Sequence, residues 1–363
     1  MLDMIANGVA HGDVASALLH ANGDTNALRP WFENGSNWVQ TPTGQYDEDG
    51  KPKYRIIRTN ALGLRKDEWV QFDRVVIKAA RERLRAWADL RTSSTYSMNG
   101  FGNMLLEHER MSDPGEVFVD YDGMTEGRRD APRFELEGLP LPITHSPFFF
   151  AARRLAISRN GGMPVDLTMA EAAGRRVAEE IERTTIGTVT GLGLSPTNVS
   201  DYHRAPKVYG YTNFPDRVTK TDMTVPTGTN ANATVDDVLD LRESLKDLGY
   251  YGPYMLYTST DWDRYLDQDY STSKGSNTLR QRLLAIEDIQ GVRRLDFLDS
   301  TFTMLLVQMT SDVARAVNGM EMTTVRWETK GGARMDFRVM AIQVPQLRSD
   351  INGSTGIAHG TTA

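Results

Sequence analysis

Cysteine is missing from all 363 residues, which excludes disulfides and thiolate metal sites and fits a reducing compartment. Histidine is scarce. His11, His20, His108, His145, His203 and His359 are scattered, and no two stand four apart on a helix, the spacing a helical zinc site needs. No apolar run reaches membrane-spanning length, and Met1-Leu-Asp-Met4 lacks the basic start of a secretory signal. The expectation is a chain made in the cytoplasm with no membrane partner. A strong charge bias is absent as well: the net charge of −7 does not mark a dedicated nucleic-acid binder. Walker, Gly-x-Gly-x-x-Gly and Gly-x-Ser-x-Gly signatures are missing, and Gly191-Leu-Gly-Leu-Ser195 lacks the third glycine. Catalytic residues, metal ligands and cofactors are therefore expected to be none.

What is present is an ordinary globular composition, 40% hydrophobic and 25% charged, long enough for two or three domains. The chain is organised around 113–188. From Thr168, which has capping-box spacing with Glu171, the residues Leu167, Ala170, Gly174, Val177 and Ile181 recur every three or four positions and predict one long helix. Ala170, Ala173, Gly174 and Ala178 keep its apolar stripe thin, so a neighbouring backbone can come close. Glu171, Arg175, Glu179 and Arg183 form a ladder of opposite charges on the other side. Ahead of it, Val117, Val119 and Tyr121 alternate, as do Phe134 and Leu136, around a polar tip from Asp122 to Pro132. That pattern predicts a long hairpin, and an isolated hairpin is marginal in water. It needs its own body or a second copy of the chain to lie on.

Residues 1–65 are rich in Gly, Asn, Asp and Thr and read as an extended arm, with a short helix near 13–20 and a strand at Lys51–Arg58. Residues 67–91 read as one amphipathic helix with Trp69, Phe72, Val76, Ala80, Leu84 and Trp87 on its stripe. Lys66 to Arg91 holds seven basic and five acidic side chains, and Arg81, Arg83 and Arg85 make its wet side locally positive. Farther on, Thr234 and Asp237 are expected to open a helix ended by Gly249, and Tyr254–Thr258 is expected to be a buried strand. Asp261–Leu266 and Leu279–Ile286 read as helices; Leu295–Leu298, Thr303–Met309, Met320–Glu328 and Ala333–Val344 read as strands, the last two joined at Gly331-Gly332. From Ser349 the Gly/Ser/Thr-rich tail is expected to fray. Two acidic groups invite a catalytic or cation reading: Asp120, Asp122 and Glu126 at the hairpin tip, and Asp236, Asp240, Glu243 and Asp247 along one helix face. Turn chemistry and a solvated face account for both.

In this order the pieces resemble the major capsid proteins of tailed bacteriophages, the Hong Kong 97 fold that encapsulin shells share. Asp113 to about Gly138 looks like its extended loop and Thr168–Thr185 its spine helix. Pro253–Thr258 with the helices after it looks like the axial domain, and Thr324–Glu328 through Phe337–Leu347 like the closing strands. The resemblance implies an α+β fold with these parts: N-terminal arm 1–65, helix and connector 66–112, extended loop and peripheral strands 113–160, spine helix 161–190, axial domain 191–318, closing strands 319–348 and a flexible tail 349–363. It implies a structural protein whose partners are other copies of itself in hexamers and pentamers, with separate scaffold, portal and decoration or cement proteins and weakly held double-stranded DNA. Inter-subunit contact would fall on Val117, Val119, Tyr121, Glu126, Arg128, Arg129, Asp130, Phe134 and Leu136, and interior contact with DNA on Arg81, Arg83 and Arg85. Some family members cross-link through a lysine of the extended loop. No lysine lies between Lys78 and Lys207 here, so that bond is excluded. An encapsulin-like compartment and, more distantly, a soluble α/β enzyme are the alternatives.

Overall fold

The computed structural model describes residues 31–33, 36–47, 51–59, 74–79, 84–111, 121, 134–151, 153, 168–188, 208–227, 230–269, 277–298, 301–330 and 333–362. Three strands come first, β1 (Trp31–Glu33), β2 (Ser36–Tyr46) and β3 (Pro52–Thr59), and make an antiparallel sheet of their own. A helical stretch at 74–79 and helix α1 (Ala86–Ser93) lead into β4 (Thr95–Ser97), β5 (Leu105–Met111), β6 (Phe134–Pro140) and β7 (Thr144–Ala151). Then come helix α2 (Thr168–Ile186), β8 (Val218–Met223), α3 (Ala231–Asp247) and β9 (Tyr254–Thr258). A 3-10 turn at Thr260–Trp262 runs into α4 (Asp263–Leu266), followed by α5 (Leu279–Leu284), β10 (Ile289–Arg294), β11 (Met304–Gln308), β12 (Ala314–Thr329), β13 (Arg334–Leu347) and β14 (Ile357–Thr362).

The long helix α2 lies where its periodicity placed it. Ala170, Gly174, Val177 and Ile181 are buried, against a core that includes Phe148 of β7 and Phe337, Val339 and Ala341 of β13. The Phe148 and Phe337 rings stack at 5.2 Å. The thin stripe does admit a backbone: a Cβ on Gly174 would sit 3.0 Å from Val76 Cγ1 and 3.2 Å from Val76 Cα. In the charge ladder Glu171 meets Arg175 at 3.1 Å, and Arg183 lies over the Phe297 ring, 4.4 Å from its centre. Beneath α2 the four strands run in the order β4-β12-β13-β7, and β12 and β13 form the long hairpin expected from the end of the sequence.

The helix read over 67–91 is broken. Leu84 and Arg85 are not helical, and α1 starts afresh at Ala86. The cause lies far along the chain. The carboxylate of Glu182, 2% exposed on the last turns of α2, accepts the Ala86 N–H at 2.6 Å and the Trp87 N–H at 3.1 Å. Those are two of the amides that a new helix start leaves without an intrahelical partner.

The second sheet runs in the order β10-β9-β11-β14-β8. Every residue of β9 and β11 is buried, as befits strands covered on both faces. One face carries Leu256 and Leu306 towards Val238, Leu241 and Leu245 of α3; the other sends Tyr257, Leu305 and Val307 into the core under α2. Three expectations are corrected here. Leu295–Leu298 is a turn, and the strand is Ile289–Arg294; Leu295 and Leu298 are buried, and Leu295 donates its N–H to the Thr258 carbonyl at 2.9 Å. Helix α3 opens a turn earlier than Thr234, after Asn230, and Asp237 lies inside it, accepting the Thr224 N–H at 2.8 Å and pairing with Lys220 at 2.9 Å. The expected frayed tail fails too. β14 lies between β11 and β8, with Ile357 and Ala358 fully buried.

Candidate assembly surface

Strands β5 and β6 form an isolated two-stranded ribbon, and it is the root of the hairpin arm. Their register, Leu105 opposite Pro140 through Met111 opposite Phe134, corrects the expected pairing of Phe134 and Leu136 with Val117–Tyr121. The arm starts at Leu105, eight residues before the expected boundary at Asp113. Residues 112–120 and 122–133, with Val117, Val119, Glu126, Arg128, Arg129, Asp130 and the acidic tip, lie outside the described residues. Tyr121 is described and fully exposed.

Alternation gives the ribbon two unlike faces. The inner face carries Leu106, His108 and Arg110 opposite Leu139, Glu137 and Glu135. Leu106 and Leu139 are buried with Leu141, Val208 and Ile342 in a small core on the four-stranded sheet. Farther out that face turns ionic. His108 Nε2 lies 3.3 Å from Glu137, and Arg110 reaches Glu137 at 2.9 Å and Glu135 at 3.7 Å. Arg110 also extends to the body, donating to Ser349 Oγ at 2.6 Å and to the Asp350 carbonyl at 3.3 Å, with Asp216 at 3.7 Å. The His108 contact, and after it the Arg110 charge, hold the Glu137 carboxyl below the ordinary carboxylate range in spite of its partial burial. Sequence reading missed this strand because Glu107-His-Glu-Arg110 looks like solvated loop; the signal was the alternation of acidic with basic residues.

Among the described residues the outer face is largely exposed. Glu107 and Glu109 are exposed, and Leu136, opposite Glu109, is 64% exposed. Phe134 opens β6 opposite Met111. Leu136 thus stands in solvent on a ribbon whose other face is fixed to the body.

Of the three arginines expected to face an interior, Arg81 and Arg83 lie outside the described residues. Arg85 stands just ahead of α1, donating to the Arg294 carbonyl at 3.2 Å with Asp296 at 3.8 Å. The acidic row Asp236, Asp240, Glu243 and Asp247 is exposed along α3, and Asp240 holds Lys220 at 2.6 Å.

The architecture is shared with solved shells. The chain matches a virus-like particle from Pyrococcus furiosus with a TM-score of 0.54 at 13% identity, over 80% of this chain and 98% of that one. The capsid of Myoviridae phage XM1 matches with a TM-score of 0.52 at 10% identity, over 72% and 86%. The capsid of a native GTA particle matches with 0.50 at 14%, over 77% and 91%. The fold is the Hong Kong 97 type, α+β, as the order of elements implied. No curated protein matches the chain. A family described only as being of unknown function, DUF6260, matches residues 58–360, and the chain belongs to it.

Proposed function

We propose that this chain is a major capsid protein that assembles with copies of itself into the icosahedral head of a tailed bacteriophage around double-stranded DNA. The observation that carries the reading is the arm root: a ribbon clamped to its own body on one face and offering Leu136 on the other, within a Hong Kong 97-type fold. The mechanism is geometric. The arm, with Val117, Val119, Tyr121, Phe134 and Leu136, lies over the next subunit, and Glu126, Arg128, Arg129 and Asp130 at its tip set register by charge pairing. Head-to-tail contacts of this kind close into rings when the rotation allows, here hexamers and pentamers. Each contact can be weak, because every subunit makes several at once. Arg81, Arg83 and Arg85 would meet DNA only loosely, and Arg85 already has carbonyl and carboxylate neighbours. Portal, scaffold and cement proteins are separate partners in this reading, and shell strength comes from non-covalent contacts.

A second reading, a protein compartment enclosing a cargo enzyme, is favoured by the near-complete coverage of the Pyrococcus furiosus particle chain. Electron microscopy of the expressed full chain tests both. Closed particles support the capsid reading, and a uniform small oligomer overturns it. Analysis of the contents of particles from the native source then separates double-stranded DNA from a protein cargo.

A further inference from the structure

The four-stranded sheet turns one face to α2 and the other to the arm root, and this second face is only partly covered. Along β13 the even-numbered residues point to it. Met340, Ile342 and Val344 lie in the small core with Leu106 and Leu139 of the arm root. Towards the β12–β13 turn the register sets Phe149 beside Asp336 and Trp327, and Pro147 beside Arg338 and Val325, all on this one face. Phe149 is 55% exposed, and Pro147 is exposed as well. The Arg334 guanidinium lies 3.9 Å from the centre of the Phe149 ring and is paired with Asp336 at 2.7 Å. Arg338 lies over the Trp327 ring at 5.2 Å. Among the described residues the Arg338 side chain has no hydrogen bond or ion pair. An unpaired arginine stacked on tryptophan beside an open phenylalanine has the composition of an interface centre.

The arm carries the complement of that face. From Glu107 to Gly127 the sequence holds seven carboxylates and one arginine, Arg110, and Arg110 is engaged by Glu135, Glu137 and Asp216. At the root Glu107, Glu109 and Leu136 share the outer face, with Leu136 directly opposite Glu109. Neither glutamate has an ion pair among the described residues. The root rests on its own sheet through its inner face, so the outer face looks away from its own Arg338. Two copies are needed to bring the surfaces together. Resting on the capsid reading, we infer that the face around Arg338, Trp327 and Phe149 is the seat for the arm of a neighbouring copy, with Glu109 meeting Arg338 and Leu136 meeting Phe149. The contact is heterologous, one surface on each copy, so it propagates around a ring. A charge pair beside an apolar centre sets its register.

Because the chain has no cysteine, disulfide trapping reads the contact without background. In shells of the full chain carrying Leu136→Cys and Phe149→Cys, oxidation in air with copper–phenanthroline is expected to give a ladder of covalent oligomers. A mixture of the two single variants should stop at dimers, since each chain then has one thiol. Charge supplies the second measurement. Arg338→Glu is expected to abolish shells, and adding Glu109→Arg to restore them, with the wild-type circular dichroism kept by the unassembled chain. A disulfide closed within one chain would overturn the inference. So would normal shells that yield no ladder, the outcome if residues 1–30 fill the face instead. Shells from Arg338→Glu equal to wild type, or a folded Arg338→Glu chain that Glu109→Arg does not rescue, would sink it equally. Should Arg338→Glu lose its fold, the trapping result decides alone. If wild type itself forms no shells, the capsid reading fails and takes this inference with it.

Discussion

Glu182 is a buried carboxylate near the end of α2, and the two amides it accepts from open α1. Burial pushes it up to about 7, against the pull of the Ala86 and Trp87 amides, and the nearby carboxylate of Asp89 adds to the rise. Asp89 is itself held by Arg293 at 2.9 Å and accepts from the Tyr257 hydroxyl at 3.2 Å, and the Tyr211 ring stacks on that of Tyr257. The folded chain therefore binds the Glu182 proton more tightly than the unfolded chain, whose carboxyl titrates near 4.5. Its contribution to stability is fully present below pH 4.5 and is lost as pH rises through about 7. The gap corresponds to roughly 3 kcal/mol at most. Glu182→Gln removes the charge but keeps an acceptor for only one of the two amides, which use different carboxylate oxygens. Urea unfolding of the unassembled variant should therefore lose the wild-type dependence on pH between 5 and 8 while giving up one hydrogen bond. Glu182→Ala leaves both amides buried without an acceptor and should lose about 1–3 kcal/mol at either pH. A Gln variant that tracks wild type across this window would show that another group titrates there.

At the scale of elements, local pattern told the truth where an element makes its own case. The three-and-four spacing of Ala170, Gly174, Val177 and Ile181 needs no partner to be read, and the same holds for the buried run Tyr254–Thr258 and the alternation along Met335, Phe337 and Val339. Misreadings fell where a distant partner decides. The break at Leu84–Arg85 belongs to Glu182, and Asp237 serves Lys220 and Thr224 from inside α3 instead of opening it. The polar stretch 107–110 becomes a strand because Glu135 and Glu137 face it. Of the candidate contact surface, the approximate place of the arm was legible, but its strand partner was not. β14 is the clearest case. Ile357-Ala-His-Gly-Thr-Thr362 is short and contains glycine, a weak strand by propensity, yet it is flanked by β11 and β8. A fraying tail predicts no effect from Ile357→Ala. Its full burial beside Leu305 and Val307 instead predicts a loss of roughly 2–5 kcal/mol, as for other buried isoleucine truncations. The shift in urea midpoint checks it.

For the molecule as a whole, the capsid reading has each subunit present its arm to a neighbour, and Arg110 is placed to hold the root in one orientation. It is the one described side chain that joins both arm strands, through Glu135 and Glu137, to two separate stretches of the body, Asp216 and Ser349–Asp350. Its planar fork suits several carboxylate and carbonyl partners at once, which a lysine ammonium cannot match. Removing it leaves Glu135, Glu137 and Asp216 with only His108 and Arg348 to offset them. Arg110→Ala should therefore loosen the root while the Leu106–Leu139 contact keeps the chain folded. Amide exchange in Leu105–Met111 and Phe134–Pro140 of the unassembled variant is expected to quicken, with α2 and β12–β13 unchanged. On the capsid reading its particles should vary more in diameter than those of wild type, and Arg110→Lys should fall between the two. Acid should imitate the same loss. The lowered Glu137 carboxyl supports the clamp above its unfolded range near pH 4.5 and releases it as pH falls through its folded value below that. Uniform particles from Arg110→Ala, with exchange at the root unaltered, would mean that the small core alone aims the arm.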